Sequence, residues 1–406
     1  MQRIDRPEYL SFLIRGKGRQ IIKVVSGIRR SGKSTLLDIY RDWLLENGVA
    51  KEQIIFVNFE DLDYEHLKNY RLLYDFIKPL LLPDRMNYIF LDEIHHVAQF
   101  EKAADSLFIK KNVDLYITGS NAWFMSGELA TLLSGRYVEL KMLPLSFAEY
   151  CQGLTLYAPK KPLTKNEIYA LYLEESSFPY TLQLSGRQKD IREYLEGVYT
   201  SILLKDVVAR LRVSDVTMLE SVVRFVFNNI GNLTSASKIA NTMTSEGRKI
   251  DQKTVEKYLK GLIDSMMVCQ ATRYSIKGKQ YLASLEKYYI ADLGLRQYLL
   301  GSGKADQGHI LENVVYLELL RRGYRVNIGH LIDGEVDFVA QGADGATYYQ
   351  VAASVLDENT LWRELAPLEK IRDHHPKVLL TLDEIGAGTN HNGIRQLNAI
   401  DWMMEK

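Results

Sequence analysis

The sequence predicts an α/β fold: a parallel sheet covered by helices, followed by smaller domains. Three observations lead to this prediction. Residues 20–150 alternate short apolar runs with helical patterns, which is typical of a parallel sheet. A glycine-bearing loop separates the first apolar run from the first helical pattern. The 406 residues also exceed what one hydrophobic core organises, so we expect two to four domains.

The strands of the first domain follow from apolar runs that end in polar or glycine residues. We assign residues 1–150 to this domain. The runs are QIIKVVSG, QIIFVNFED, MNYIFLDE, VDLYITGS and RYVELKML, and the first helix is STLLDIYRDWLLENG.

The rest of the chain divides into three further predicted segments. Residues 151–230 are mostly helical and form a connector. Residues 231–300 contain two helices, SASKIANTM and QKTVEKYLKGLIDSMM, then a hairpin with IKGK at its tip, which is the layout of a winged helix-turn-helix. Residues 301–406 return to a small mixed α/β domain, with hairpin turns at Asp333-Gly334 and Asp344-Gly345.

Charge is balanced overall and unevenly distributed. The chain has 51 basic and 51 acidic residues. Residues 181–300 hold 18 Lys and Arg against 12 Asp and Glu, and residues 301–406 hold 10 against 16. One interpretation is that the basic middle docks on the acidic end of the chain or on a neighbouring subunit. The other is that it binds nucleic acid. Both interpretations stay open.

Composition favours a cytoplasmic protein. The two cysteines, Cys151 and Cys269, are too far apart to form a metal or redox motif. The N-terminus lacks the apolar core of a secretory signal. No apolar run approaches the length of about 20 residues that spans a bilayer, so we expect no membrane partner.

The strongest motif is a phosphate-binding loop. Residues 27–34, GIRRSGKS, match G-x-x-x-x-G-K-[ST] between a strand and a helix. Two glycines let backbone N–H groups point at a phosphate, and the helix N-terminus adds positive potential. Lys33 would reach the β- and γ-phosphates, and Ser34 would bind Mg²⁺. The predicted ATP-binding residues are Gly27, Arg29, Arg30, Ser31, Gly32, Lys33, Ser34 and Thr35.

A second motif supplies the carboxylates that such a loop requires. The run YIFLDE, residues 88–93, is a buried-strand pattern that ends in Asp92 and Glu93. Asp92 would hold Mg²⁺, and Glu93 would orient and polarise the attacking water. A similar run at residues 378–384 has no phosphate loop nearby and predicts an ordinary strand and turn.

Three further residues are candidates for the same site. Ser120 and Asn121 follow the strand VDLYIT and would sense the γ-phosphate or position water, although either could instead cap the next helix. Arg136 would stabilise charge on the transferred phosphoryl group, in its own subunit or across an interface. An ordinary ion pair is the alternative for Arg136. Adjacent histidines at 95 and 96 do not predict a metal site.

These motifs resemble those of a known family. GIRRSGKS, FLDEI, ITGSN, SGR and PLSFAEY look like AAA-like ATPases of bacteria and archaea that carry a C-terminal domain of unknown function, and they are similar to archaeal STAND-type ATPases. The likeness continues through LLKDV, KYYIADLGL and LENVVYLEL and covers nearly the whole chain. The resemblance implies an ATPase core, a helical connector, a winged helix and a nuclease-like α/β domain.

The last domain is similar in layout to the PD-(D/E)xK nuclease fold. In that fold, carboxylates hold Mg²⁺ and a lysine helps to activate water. Glu312 and Asp337 match the first two acidic positions, but Gln350 and Ala352 stand in place of the E-x-K motif. Glutamine is a weaker metal ligand and alanine supplies no ammonium. The sequence therefore predicts an inactive domain used for binding or assembly.

The winged-helix region offers lysines for a partner. The basic residues on its second helix and at its hairpin tip would meet DNA phosphates, but winged helices also bind proteins, and both targets stay open. No arginine lies at the helix start, so base readout by an arginine–guanine pair is not predicted. The lysines concerned are Lys253, Lys257, Lys260, Lys277 and Lys279.

Together the motifs predict a Mg²⁺-dependent ATP-hydrolysing switch or motor that couples nucleotide state to its C-terminal domains. One alternative is a nucleotide-gated DNA or protein adaptor with little turnover. The other is an ATP-dependent nuclease. The expected partners are ATP, DNA or a protein, and further copies of the chain.

Overall fold

A computed structural model describes residues 3–120, 133, 135–157, 162–301 and 306–405. The chain forms two compact units. The first is Met1–Pro144 with Asp264–Met266, and the second is Leu145–Ile263 with Met267–Lys406. Within the described ranges, no helix is both long and apolar enough to cross a membrane.

The first unit contains a five-stranded parallel sheet, which confirms the predicted fold class. The strand order is β2-β3-β4-β1-β5, and every neighbouring pair is parallel. All positions of β1, β3 and β4 are buried, as expected for strands covered on both faces. The strands are β1 Ile22–Gly27, β2 Ile54–Asn58, β3 Asn87–Asp92, β4 Val113–Thr118 and β5 Tyr137–Met142.

Helices cover both faces of this sheet. Alternate residues of β3 belong to different apolar clusters, because successive side chains of a strand point to opposite faces. Ile89 packs in a cluster with residues of α3 and α4, and Phe90 packs with residues of α1 and α2. The helices are α1 Pro7–Gly16, α2 Lys33–Glu46, α3 Tyr70–Ile77 and α4 Phe100–Phe108. Short 3₁₀ turns are Lys51–Gln53, Leu62–Leu67, Lys78–Leu80 and Ile94–His96.

The second unit begins with the predicted helical segment and contains a second sheet. Its helices are α5 Phe147–Tyr157, α6 Lys165–Glu175, α7 Gln188–Ser201, α8 Ala209–Leu211, α9 Val216–Asn228, α10 Ala236–Ser245, α11 Gln252–Asp264, α12 Leu293–Leu300, α13 Gln307–Arg321, α14 Glu358–Glu369 and α15 Ala399–Met404; a 3₁₀ turn spans Pro179–Leu184, and a π-helix, Ile202–Val208, joins α7 to α8. Its strands are β6 Val268–Ser275, β7 Gln280–Ile290, β8 Arg325–Leu331, β9 Gly334–Gly342, β10 Gly345–Ala352, β11 Lys377–Thr381, β12 Asn390–His391 and β13 Ile394–Asn398.

The second sheet has eight strands in the order β12-β13-β11-β10-β9-β8-β6-β7. Its β6–β7 hairpin belongs to the segment predicted as a winged helix, and β8 to β13 belong to the predicted nuclease-like segment. The two segments share one sheet because β6 pairs in parallel with β8. The domain boundary predicted at residue 300 therefore separates two segments of the chain that contribute strands to the same sheet.

Candidate functional site

The phosphate loop connects the carboxyl end of β1 to the first turn of α2. A Cβ atom at Gly27 would lie 2.3 Å from the carbonyl oxygen of Met142, so only glycine fits there. Gly32 precedes α2 with φ 98°, a left-handed conformation that glycine adopts without steric cost. The loop's two glycines are therefore explained by backbone geometry.

Strand β4 lies between β1 and β3, so its end adjoins both the phosphate loop and the acidic strand. Thr118 is the last residue of β4. Its hydroxyl donates a hydrogen bond to Asp92 Oδ1 and accepts one from the Glu93 N–H at 2.9 Å. Thr118 thus fixes the positions of both carboxylate residues. The sequence does not single out Thr118. The residues that it predicts to sense the γ-phosphate, Ser120 and Asn121, follow two to three positions later.

Asp92 carries a buried carboxylate with one oxygen still available. Burial raises its pKa and the charge of Glu93 adds to the effect, while the hydroxyls of Thr118 and Ser34 and the Lys33 ammonium oppose it. Oxygen Oδ2 is buried and accepts no hydrogen bond from the described residues. A buried anionic oxygen without a donor is costly unless a cation or proton satisfies it.

The residues that the sequence assigned to Mg²⁺ fit that ion. Ser34 stands at the start of α2, near enough to Asp92 for its hydroxyl to affect the pKa of the carboxyl group. Hydroxyl and carboxylate oxygens are the hard ligands that Mg²⁺ prefers, usually with phosphate oxygens and water. Oδ2 of Asp92 accepts no hydrogen bond from the described residues, so it can accept one from a water molecule that such an ion would carry.

Glu93 faces basic groups on both sides. Its Oε1 lies 3.6 Å from Lys33 Nζ, and its Oε2 lies 3.2 Å from His95 Nδ1. Burial alone would raise the pKa of Glu93, but His95, Lys33 and Arg29 outweigh it and lower the pKa to about 2. The side chain is therefore an ionised acceptor at neutral pH. Its contact with His95 was not predicted from the sequence.

The other residues predicted for the phosphate loop and for γ-phosphate sensing lie in different environments. Ser120 is buried and follows β4 at the same edge of the sheet as the phosphate loop. Asn121 lies outside the described residues. Arg29 acts on Glu93 through its charge, and Arg30 adopts a left-handed φ of 68° inside the loop.

Arg136 lies at the opposite edge of the sheet from the phosphate loop. It precedes β5, and its carbonyl oxygen accepts a hydrogen bond from the N–H of Ile22, the first residue of β1. The phosphate loop begins at the other end of β1, about 17 Å away at roughly 3.3 Å per residue. Arg136 instead forms an ion pair with Asp105. The alternative role in the sequence interpretation, an ordinary ion pair, is the observed one.

A buried arginine, Arg6, stabilises the phosphate loop. The sequence did not suggest this residue. Arg6 donates to the carbonyl oxygen of Ser31 at 3.1 Å and to that of Leu143 at 2.9 Å. Its guanidinium group also lies over the ring of Tyr9. Arg6 therefore ties the phosphate loop to the segment after β5. No local motif marks this residue.

A second cluster of charged residues lies on the eight-stranded sheet. Lys287 Nζ lies 2.9 Å from Glu312 Oε1, 2.8 Å from Glu335 Oε1 and 3.7 Å from Asp337 Oδ1. The other Asp337 oxygen accepts a hydrogen bond from the Val351 N–H. The sequence does not indicate Lys287, because this lysine lies far along the chain from Gln350 and Ala352, which occupy the positions of the E-x-K motif.

The surroundings of this cluster do not fit a metal ion. The Lys287 ammonium occupies the point where the carboxylates converge, and Gln350 donates to Glu364 at 2.9 Å. Burial and the charge of Glu312 raise the pKa of Asp337 to about 8. Over the described ranges, no group of three or more His, Cys, Asp or Glu side chains could hold a metal ion. An open cavity of about 380 Å³ adjoins Glu312, Asp337 and Gln350.

The first site and its sheet define a class of protein. A glycine-bounded loop after β1, a buried Asp92–Glu93 pair after β3 and an intervening β4 are the features of a P-loop nucleoside-triphosphatase fold of the AAA type. The sequence matches the AAA domain family over residues 19–151. It matches a domain of unknown function (DUF8612) over residues 166–306.

The chain belongs to the same family as two full-length relatives. An uncharacterized protein of Haemophilus influenzae is 40% identical over 403 residues, covering 99% of each chain. An uncharacterized protein of Methanocaldococcus jannaschii is 30% identical over 363 residues, covering 86% of this chain and 78% of the relative.

Solved structures with similarity to this chain include a Walker-type ATPase, DnaA and Orc1. A Walker-type ATPase of Pyrococcus abyssi has a TM-score of 0.49 and 16% identity, covering 73% of this chain and 96% of its own. AMPPCP-bound DnaA from Aquifex aeolicus has a TM-score of 0.34 and 14% identity, covering 64% and 88%. Orc1 of Aeropyrum pernix in complex with DNA has a TM-score of 0.32 and 14% identity, covering 74% and 93%.

Proposed function

We propose that this protein binds ATP with Mg²⁺ and hydrolyses it at the carboxyl edge of the five-stranded sheet. The observation that carries the proposal is the convergence of Lys33, Asp92 and Glu93 beside the phosphate loop. Lys33 Nζ lies 3.6 Å from Glu93, and Asp92 presents a buried oxygen that accepts no hydrogen bond from the described residues.

Each residue has a distinct task in this proposal. Backbone N–H groups of the loop and the N-terminus of α2 bind phosphate oxygens, and Lys33 neutralises charge on the β- and γ-phosphates. Ser34 and Asp92 would hold Mg²⁺, and the bound ion would supply positive charge to stabilise the phosphoryl oxygens. Glu93 orients the attacking water. Thr118 fixes the positions of Asp92 and Glu93 through its hydrogen bonds to both.

Steady-state ATP hydrolysis with and without Mg²⁺ tests this proposal. Glu93→Gln should lower turnover by roughly 100-fold or more and leave ATP binding intact, because the loop and Lys33 are unchanged. Glu52→Gln is a matched control, since Glu52 is exposed and precedes β2 at the opposite edge of the sheet. Unchanged hydrolysis in Glu93→Gln would reject the role of Glu93.

We further propose that nucleotide state governs a partner-binding surface on the second unit. Helices α10 and α11 and the β6–β7 hairpin occur in the order of a winged helix. Helix α11 buries Val255, Tyr258, Leu259 and Leu262. Its opposite side and the hairpin tip expose the predicted lysines Lys253, Lys257, Lys260, Lys277 and Lys279. These exposed lysines would contact DNA phosphates, and DNA is the target that we propose.

Salt dependence separates this binding mode from protein binding. Affinity for short duplex DNA should fall steeply with salt, and Lys253→Gln combined with Lys257→Gln should flatten the slope by about two units. An absence of DNA binding even at low salt would leave a protein partner. Native mass measurement with ATP and Mg²⁺ would show whether copies assemble, as a role for Arg136 across an interface requires.

For the C-terminal domain, we infer that metal-dependent cleavage is absent. The Lys287 ammonium balances the carboxylates that a nuclease would use for Mg²⁺. No Mg²⁺- or Mn²⁺-dependent cutting of single- or double-stranded DNA is therefore expected. Cutting by the wild-type chain that disappears in Asp337→Ala would favour the nuclease alternative. A very low turnover number for ATP, with and without DNA, would instead favour the adaptor alternative.

A further inference from the structure

The Glu93 carboxylate contacts two different nitrogen atoms through its two oxygens. Oε1 faces Lys33 Nζ at 3.6 Å, and Oε2 faces His95 Nδ1 at 3.2 Å. The two nitrogens come from different elements, because Lys33 begins α2 and His95 lies in the 3₁₀ turn after β3. The carboxylate thus lies between two basic side chains.

The backbone of Glu93 sets up the contact with His95. Glu93 adopts a left-handed conformation with φ 53°, which is uncommon outside glycine and asparagine and costs about 1 kcal/mol or more. This conformation ends β3 and starts the turn Ile94–His96. It brings the His95 ring back beside the carboxylate two residues earlier in the chain.

The position of His95 is further constrained by its surroundings. Its side chain is 6% exposed. Its ring lies against that of His96, with centroids 4.3 Å apart and planes 33° apart. His96 itself is exposed. A buried imidazole that is packed on one side and faces a carboxylate with Nδ1 has little freedom to turn away.

The two contacts differ in what nucleotide binding does to them. Lys33 is the residue that the phosphates of ATP would attract, so its contact with Glu93 competes with substrate. The contact with His95 does not compete, because His95 and Glu93 belong to the same turn. His95 can therefore keep its contact with the carboxylate while Lys33 is engaged with phosphate.

We propose that His95 is a positioning residue that orients the Glu93 carboxylate toward the attacking water once Lys33 contacts the phosphates. This inference rests on the proposed ATPase function. A carboxylate displaced by about 1 Å from its productive position can cost roughly 100-fold in rate. His95 would therefore act on turnover and leave nucleotide affinity unchanged.

Three variants test the inference in the full-length protein. His95→Ala should lower kcat roughly 10- to 100-fold with KM and the Kd for ATP within about threefold of wild type. His95→Gln retains a side-chain N–H donor and should recover most of the lost kcat. His66→Ala is the matched control and should hydrolyse ATP at close to the wild-type rate, because His66 is an exposed histidine outside the His95–Glu93 contact.

The outcomes separate failure of the inference from failure of the proposed function. A wild-type chain without Mg²⁺-dependent ATP hydrolysis would overturn both. A hydrolysing wild type with His95→Ala within twofold of its kcat would overturn the positioning role alone. A loss of kcat that His95→Gln does not recover, or that His66→Ala matches, would also overturn that role, since it would not depend on the contact between His95 and Glu93.

Discussion

Each of the two sheets of this protein places a buried lysine beside carboxylates. The two clusters differ in whether a carboxylate oxygen is left without a partner. Lys33 faces one oxygen of Glu93 at 3.6 Å, while Asp92 Oδ2 accepts no hydrogen bond from the described part of the chain. Lys287 has carboxylate oxygens of three side chains within 3.7 Å. The first cluster leaves a buried carboxylate oxygen open to a further ligand, whereas in the second the lysine already occupies the point where the carboxylates converge.

This difference shows that residue types alone do not define a metal or phosphate site. Both clusters would satisfy a search for lysine and acidic residues. The first lies beside backbone N–H groups of a glycine loop at a helix N-terminus, so phosphate can compete for its lysine. In the second, the lysine is enclosed by carboxylates, and a metal ion would have to displace it.

The largest expected effect is at the first cluster. Lys33→Met should weaken ATP binding by roughly 1000-fold, about 4 kcal/mol, because a charge-assisted phosphate contact is lost. Titration with a fluorescent ATP analogue measures this loss. Lys51→Met is the control, since Lys51 is exposed near the start of β2. Equal affinity in wild type and Lys33→Met would show that the loop is not the nucleotide site.

The next effect is on stability at the second cluster. Lys287→Met should lower the free energy of unfolding by about 3 kcal/mol, because it leaves buried carboxylates without their cation. Chemical denaturation of the full chain measures the change, with the exposed Lys277→Met as its control. A change below about 0.5 kcal/mol would mean that Lys287 is not the cation that balances this cluster.

A smaller effect depends on pH. The pKa of Asp337 is raised to about 8, so between about pH 4 and pH 8 the folded chain keeps a proton that the unfolded chain releases. Stability from this group is therefore greatest at low pH and falls as pH rises through that window. Asp337→Asn removes this loss of stability with rising pH. The variant should be more stable than wild type by roughly 1–2 kcal/mol at pH 8.

Thermal unfolding at pH 5, 6, 7 and 8 checks this dependence on pH. The difference between Asp337→Asn and wild type should grow with pH, whereas exposed Asp333→Asn should show no such trend. A difference that is constant across the series would contradict the raised pKa of Asp337.

The smallest expected effect concerns Arg136. Its ion pair with Asp105 has side chains 44% and 35% exposed, so solvent screening limits its contribution to about 0.5 kcal/mol or less. Arg136→Gln should leave stability nearly unchanged, and ATP hydrolysis by a single subunit should stay within about twofold. A loss of hydrolysis that depends on protein concentration would instead indicate a role across a subunit interface.

The sequence predicted the parts of the site that are encoded locally. The phosphate loop and the Asp92–Glu93 pair each occupy a continuous stretch at a strand end, so their residues and position at the edge of the sheet followed from pattern and spacing. The five strands of the first sheet were predicted for the same reason. Apolar runs that are buried on both faces are distinct in sequence.

The missed residues depend on contacts that spacing does not encode. Thr118 reaches Asp92 because β3 and β4 are neighbours in register. His95 reaches Glu93 because of a left-handed backbone angle. Lys287 comes from β7, which joins the strand of Asp337 only through the pairing of β6 with β8. Arg136 follows a suggestive motif, but parallel pairing places it at the wrong edge of the sheet.

Manganese binding with and without ATP tests the contrast between the two clusters most directly. Mn²⁺ can replace Mg²⁺ and is counted by electron paramagnetic resonance. We expect the wild-type chain to bind a Mn²⁺ ion only when ATP is present, and we expect Asp92→Asn to lose this ion while Asp337→Asn keeps it. Mn²⁺ bound without ATP, and lost in Asp337→Asn, would contradict the account.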